Sequence, residues 1–386
     1  MLLPKFAFRN RSERRFIIPF FLFSLLFLII IISPITPSEE EVDTGWDSAT
    51  ISTELDLNDV AALNSTSAIA VGESGKIFFT DNSGVNWSEM VSGVVQDLNS
   101  IESDKESIVV GDSGTVLVSE GDSWVENSIL GAGNLHDLSV PHFESLSNST
   151  IFVCGTGGEI WKWTNTSWSD LSSNTGTNVD IYGIDFIDEE KGFAVGANGL
   201  IIATIDGGLT WELRDPPEEF REFTFYDLLF FGWQGNPTSL LVVGENGTLI
   251  QSSGTGASAI GYIWRVPSEE SDHPTGTTNT IRSMSGSSRF KYWVVGDDNY
   301  IALTEDGGNS FYNQSQPQTS GVDFTGVSFS NGFDGFLVGE EGVALYTDRE
   351  GLDPRVLDTA KSFDNFWEYA EYAYPRLEDR PTLPFN

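Results

Sequence analysis

The sequence predicts an all-β fold: a seven-bladed β-propeller closed by an N-terminal strand in the last blade, with an N-terminal transmembrane helix and a short C-terminal helix. Three observations predict it. A glycine-centred hairpin pattern recurs seven times at blade length, a tryptophan ahead of the first repeat supplies what the last repeat lacks, and an uncharged apolar run follows a basic N-terminus.

The recurring pattern is small/apolar-x-Gly-x-x-Gly-x-apolar, with its leading glycine at Gly72, Gly111, Gly155, Gly196, Gly244, Gly296 and Gly339. The spacings of 39, 44, 41, 48, 52 and 43 residues match a four-stranded propeller blade and exceed a leucine-rich repeat. In each unit the apolar run ending in the glycine reads as strand B. Gly-x-x-Gly reads as a tight turn that uses glycine's access to positive φ, and the next apolar run reads as strand C. Strand A is expected at DLNDV (56–60), DLNSI (97–101), DLSV (137–140), DIYGI (180–184), DLLFF (227–231), TIRSM (280–284) and DFTGV (323–327).

Between strands C and D runs Thr-x-Asp-x-Gly-x-Thr-Trp, complete at Thr204–Trp211 and nearly so at Thr304–Phe311. A degraded copy at Thr80–Trp87 has Asn82 for the aspartate. The motif resembles the Asp-box (BNR) turn of many propellers. Asp206, Gly208 and Trp211, Asp306, Gly308 and Phe311, and Asn82, Gly84 and Trp87 are then structural: the acid or amide holds the turn and the aromatic packs between blades. The seventh unit has no such tryptophan, and Pro354 stands in its place. Trp46 lies 26 residues before Gly72, much as Trp87 lies 24 before Gly111, so residues around Trp46–Ile51 are expected to close the ring.

The termini are different material. Residues 1–15 carry Lys5, Arg9, Arg11, Arg14 and Arg15, and residues 16–33 carry no charge. This predicts a signal anchor over 16–33 with a cytosolic N-terminus and an extracytoplasmic propeller, against the alternative of a cleaved signal peptide. A linker (34–44), the propeller (45–352), an amphipathic helix (353–375) and an extended tail (376–386) follow. In the helix Phe363, Phe366 and Trp367 are candidates for packing on the propeller rim or docking on a partner or membrane. The net charge of −37 argues against binding nucleic acid. One cysteine, Cys154, falls in a strand B, so no disulfide framework exists.

The strongest candidate site is the acidic residue opening strand A: Asp56, Asp97, Asp137, Asp180, Asp227 and Asp323, with Thr280 as the exception. Together with acids in the B–C turns they should make one face of the disc strongly acidic. Such carboxylates suit Ca²⁺ or a cationic partner segment, but their recurrence argues for acceptors that fix the loops, since a repeated staple needs no ligand. No cofactor motif is present. His136, His142 and His273 lack metal-ligand spacing, and the Gly-x-x-Gly turns precede no helix, so they are not phosphate cradles.

The repeat VGxxGxIxxTxDGGxTW behind Asp-Ile/Leu resembles the photosystem II stability/assembly factor family across roughly 45–352. The resemblance implies a non-enzymatic propeller that holds a membrane subunit during assembly. The expected function is a non-catalytic, membrane-anchored scaffold or assembly factor with a protein partner at or in the membrane. The alternative is a glycan-binding or sialidase-like Asp-box surface protein.

Overall fold

The computed structural model describes residues 45–49, 51–145, 148–233, 236–253, 263–267, 275–286, 288–316 and 319–349. The expected anchor (16–33) and C-terminal helix (353–375), with Phe363, Phe366 and Trp367, lie outside them. No helix among the described residues is long and apolar enough to cross a membrane.

The described strands form seven four-stranded antiparallel sheets, and in six of them the strands follow in chain order. The innermost strands A are Leu57–Ala62, Leu98–Ser103, Leu135–Ser145, Ile181–Phe186, Phe225–Trp233, Ile281–Gly286 and Phe324–Phe329. Each strand B ends on its predicted glycine. Several, such as Ala68–Gly72 and Tyr292–Gly296, are buried along their whole length, because a neighbouring blade covers each face. The core accordingly divides by interface. One cluster joins Ile69, Val71 and Ile77 of blade one to Leu98, Val109 and Leu117 of blade two, and others repeat the arrangement around the ring.

The leading glycine is required by close approach. The backbone of Gly196 is extended, but a Cβ there would collide with the Asp180 carbonyl oxygen, and the same clash recurs at the other six. The second glycine needs positive φ, as at Gly199 (φ +67). In blade six Asn299 stands there at φ 63, a conformation asparagine tolerates better than most residues.

Blade seven is closed from the other end of the chain. Its sheet runs Asp47–Ser48, Ala344–Thr347, Gly335–Gly339, Phe324–Phe329, with Asp47 opposite Tyr346 and Ser48 opposite Leu345. The closing strand is shorter than the expected Trp46–Ile51, although the Ala49 amide still reaches the Ala344 carbonyl. Trp46 is buried against Phe329, edge to face at 5.9 Å, and its indole N–H donates to Gln314 at 3.2 Å. It sits between blades six and seven as Trp87, Trp211 and Phe311 sit at their own interfaces against Phe336, Phe186 and Tyr292. Trp168 and Trp264 make the equivalent indole bonds to the carbonyls of Asn127 and Asp215 in the preceding blades.

Trp46→Ala is expected to cost about 3–5 kcal/mol, the range for truncating a buried large aromatic. Guanidinium unfolding checks this: the midpoint should fall with the slope unchanged. A midpoint equal to that of the unaltered chain would remove Trp46 from the closure.

Candidate functional site

Strand A of every blade is the inner edge of its sheet, so alternate N–H groups face the central channel without a ladder partner. An irregularity near the start of all seven strands, as between Leu57 and Asp59 or Ile281 and Ser283, adds further unpaired amides. Such groups must find acceptors.

They find them on the neighbouring blade. Asp59 Oδ2 accepts from the Ile101 amide (2.9 Å), Glu102 from Val140 (2.8 Å), and Asp137 Oδ2 from Ile184 (2.9 Å). Asp185 accepts from Phe230 (2.8 Å), Asp227 Oδ2 from Met284 (2.7 Å), Ser285 from Phe329 (3.0 Å) and Ser328 from Ala62 (3.0 Å). Every blade thus holds the next, and the last holds the first. Where the acceptor position is glycine, at Gly183 and Gly326, the following blade supplies its own: Asp227 Oδ1 takes the Leu228 amide and Asp59 Oδ1 that of Val60.

These side chains line a channel of about 380 Å³. Each keeps some accessible surface, yet protein encloses it closely enough that burial dominates its ionisation. Burial pushes Asp59 up to about 7, against the amide bonds of Ile101 and Val60 and with repulsion from Asp137. Glu102 rises to about 8 through burial and the charges of Asp185 and Asp137. Asp137 rises to about 6 and Asp185 to about 7, and Asp227 is also raised, in each case chiefly by burial. The Ser100 hydroxyl lies within reach of both Asp59 (3.1 Å) and Asp137 (2.9 Å), but its single proton serves one at a time.

This geometry corrects the register of two predicted residues. The residues that open strand A are Asp56, Asp97, Asn134, Asp180, Thr224, Thr280 and Asp323, whose carbonyls each accept the amide that follows the strand-B glycine. Asp137 and Asp227 lie three residues further in, equivalent to Asp59. The expected ring of six therefore separates into two sets. Asp56, Asp97, Asp180 and Asp323 stay at the mouth and bond outward to the preceding blade's B–C turn: Asp97 takes the Ser74 amide (2.8 Å), Asp180 that of Gly157 (2.8 Å) and Asp323 that of Asp298 (2.8 Å). Asp56 takes Glu341 (3.0 Å), joining blade one to blade seven, and Asn134 takes Ser113 (3.1 Å). Thr224 and Thr280 offer no carboxylate at this place, and Arg282 instead pairs with Asp297 of its own blade and with Asp323 of blade seven.

The mouth also carries residues that the sequence analysis did not assign to a site. His136, Tyr182 and Tyr226 follow one another at ring distances of 4.8 and 5.3 Å, and the Arg282 guanidinium lies 5.9 Å from the Tyr226 ring. Opposite stand Asn58, Asn99 and Thr325. The mouth is thus half aromatic, with an acidic rim and a carboxylate-lined floor. Among the described residues no His, Cys, Asp and Glu group is arranged to hold a metal.

The Asp-boxes lie elsewhere, on the C–D turns. Asp206 Oδ1 accepts from the Thr204 hydroxyl (2.8 Å) and the Thr210 amide (2.9 Å), and the Thr204 hydroxyl accepts from Gly208 (3.0 Å). Asp306 repeats this with Thr304 and Ser310. Desolvation opposes ionisation of both carboxyls, but the hydroxyl and amide donors outweigh it and hold them below their usual range. Asn82 accepts the same two bonds through its amide oxygen, from Thr80 and Asn86.

The family model for photosynthesis system II assembly factor YCF48 matches residues 160–259, in blades three to five. The photosystem II assembly lipoprotein Ycf48 of a Prochlorococcus marinus strain is 41% identical over 70 residues, 17% of this chain and 20% of that protein. That of Picosynechococcus sp. (strain ATCC 27264 / PCC 7002 / PR-6) is 24% identical over 204 residues, 50% of this chain and 57% of that one. A solved structure described as YCF48 bound to D1 peptide superposes with a TM-score of 0.60 at 15% identity, covering 78% of this chain and 94% of that one. The chain is a propeller similar to photosystem II assembly factors over part of its length. It spans a fifth to just over half the length of these two curated relatives, and at 15% identity the structural likeness is one of fold.

Carboxylates raised by burial make the native state hold more protons than the unfolded chain between about pH 4 and 8, so stability should fall as pH rises through that window. Urea midpoints at pH 5.5 should exceed those at pH 8.5. Asp137→Asn, which removes a charge that repels Asp59, Glu102, Asp185 and Asp227, should flatten the dependence. The exposed control Asp122→Asn should leave it unchanged, and a midpoint that rises with pH would contradict the assignment.

Proposed function

We propose that this chain is a non-catalytic propeller, held at a membrane by residues 16–33 with its disc on the extracytoplasmic side. It would bind a protein subunit at or in that membrane during assembly of a complex. The observation that carries this reading is the family match within the blades, together with a solved relative whose described ligand is a peptide. The chemistry of the channel supports the non-catalytic part. Each of its carboxylates accepts a backbone amide of the ring, and moving one to act on a substrate would leave a buried N–H unpaired at about 1–3 kcal/mol. The mouth supports the binding part: an acidic rim beside His136, Tyr182 and Tyr226 suits a peptide carrying basic and aromatic side chains.

The test uses the full chain in detergent-solubilised membranes of its source. Affinity capture after mild cross-linking should recover one membrane subunit in stoichiometric amount, and Tyr182→Ala with Tyr226→Ala should reduce that yield several-fold. A panel of fluorogenic glycosides run in parallel should show no turnover; reproducible hydrolysis would replace the scaffold with the glycan-directed reading.

A further inference from the structure

On the side of the disc that carries the Asp-boxes, a notch of about 220 Å³ opens between blades five and six. Its walls include Arg265 from strand D of blade five, Arg289 and Phe290 from the A–B turn of blade six, and Asn309 from the Asp-box loop. In a chain of net charge −37, carboxylates are plentiful partners for a cation. Arg214, Arg282 and Arg349 each pair with one, Glu212, Asp297 and Asp47. Arg265 and Arg289 make no ion pair among the described residues. The Arg265 guanidinium donates to the neutral Asn309 side chain, and Arg289 is half-buried with its guanidinium 4.6 Å from the Phe290 ring. The acid in the wall, Asp306, is already engaged by Thr304 and Ser310 within its own turn.

The repeat provides an internal comparison. Between blades three and four the position of Gln251 is held by Lys162 and that of Arg289 by Glu189. Lys162 reaches the carbonyls of Glu189 (3.5 Å) and Gly207 (3.4 Å) there, so the cation is satisfied within the protein. In both blades the Asp-box amide meets the A–B turn in the same way, Gly207 to Glu190 and Gly307 to Phe290. The scaffold is therefore equivalent, while the A–B turn position changes from the acid Glu189 to the base Arg289 and the strand-C position from lysine to the neutral Gln251. Arg265 and Arg289 also lie outside residues 160–259, where the family model matches.

We propose that this notch is a carboxylate-binding site: Arg265 and Arg289 converge on one carboxylate of an acidic partner segment, with Asn309 and Gln251 as neutral hydrogen-bonding walls. A planar guanidinium presents paired donors that match carboxylate geometry, and stacking on Phe290 holds Arg289 in place before the ligand arrives. The chain's overall negative field opposes any anion, so the site selects a single carboxylate by geometry and binds it weakly. The proposal deepens the protein-binding reading above and rests on it for the source of the ligand.

The test is an NMR titration of the full-length chain in detergent with ¹⁵N-labelled arginine side chains. The probes are N-acetyl-glycyl-glutamate amide, which offers a side-chain carboxylate, and N-acetyl-diglycine, which offers a terminal one; inorganic phosphate is the comparator. The Arg265 and Arg289 Nε–Hε signals should move on one saturable isotherm with at least one peptide probe, and which one does so identifies the carboxylate. Arg265→Gln should weaken the isotherm at Arg289 roughly tenfold, as expected for loss of one charge-assisted contact, at an unchanged unfolding midpoint. Non-saturating shifts, equal shifts at Arg221, or saturation by phosphate alone would each overturn the assignment. Capture of a membrane subunit that is undiminished by Arg265→Gln with Arg289→Gln would end this inference and leave the scaffold reading standing. Failure of the unaltered chain to capture anything, with the titration intact, would end the scaffold reading and leave the site.

Discussion

The structure depends on how seven inner-edge strands dispose of amides that face the central channel. A sheet edge in the middle of a protein has no ladder partner, and in a narrow channel water alone does not replace one at low cost. Each blade answers by offering a side-chain oxygen to the next, through Asp59, Glu102, Asp137, Asp185, Asp227, Ser285 and Ser328 in turn. Blade contacts made of apolar side chains alone would permit sliding. A directed bond at every interface fixes the register of each blade on the next.

That constraint explains why the channel is acidic without being a metal centre. A carboxylate is the acceptor that can serve two amides at once, as Asp59 and Asp227 do when glycine occupies the preceding blade's position. The consequence is a set of buried, mutually repelling groups whose ionisation is suppressed. The outer set, Asp56, Asp97, Asp180 and Asp323, solves the related problem of the B–C turns, and Arg282 ties blade six to Asp323 of blade seven. Acidity here follows from backbone chemistry first. Recognition is left to what stands around it: the aromatic half of the mouth and the basic notch on the far side.

Much of this was legible in the residues. The glycine period gives the blade count because close backbone approach at Gly196 and its equivalents admits no side chain. Trp46 marks the closing strand because every interface holds an aromatic at that place. The register of blades three and five was not legible, and the reason is local. Their A–B hairpins are long, spanning Leu135–Ser145 with Asn148–Gly155 and Phe225–Trp233 with Asn236–Gly244. In both, an Asp-Leu pair three residues inside the strand (Asp137-Leu138, Asp227-Leu228) imitates the Asp-Leu that opens blades one and two. Once that register is corrected, His136, Tyr182, Tyr226 and Arg282 fall into one column as the second residue of strand A, a signal that the shifted alignment had scattered. The Arg265–Arg289 notch has no period at all. It arises from two elements of different blades, and only the fold brings them together.

Amide hydrogen exchange on Asp137→Ala tests the central claim most directly. If blades are locked through their neighbours' side chains, the Ile184 amide in blade four should lose protection strongly. The Phe230 and Met284 amides, which bond to Asp185 and Asp227, should keep theirs. An Ile184 amide that exchanges as slowly in the variant as in the unaltered chain would show that the ring does not depend on these bonds.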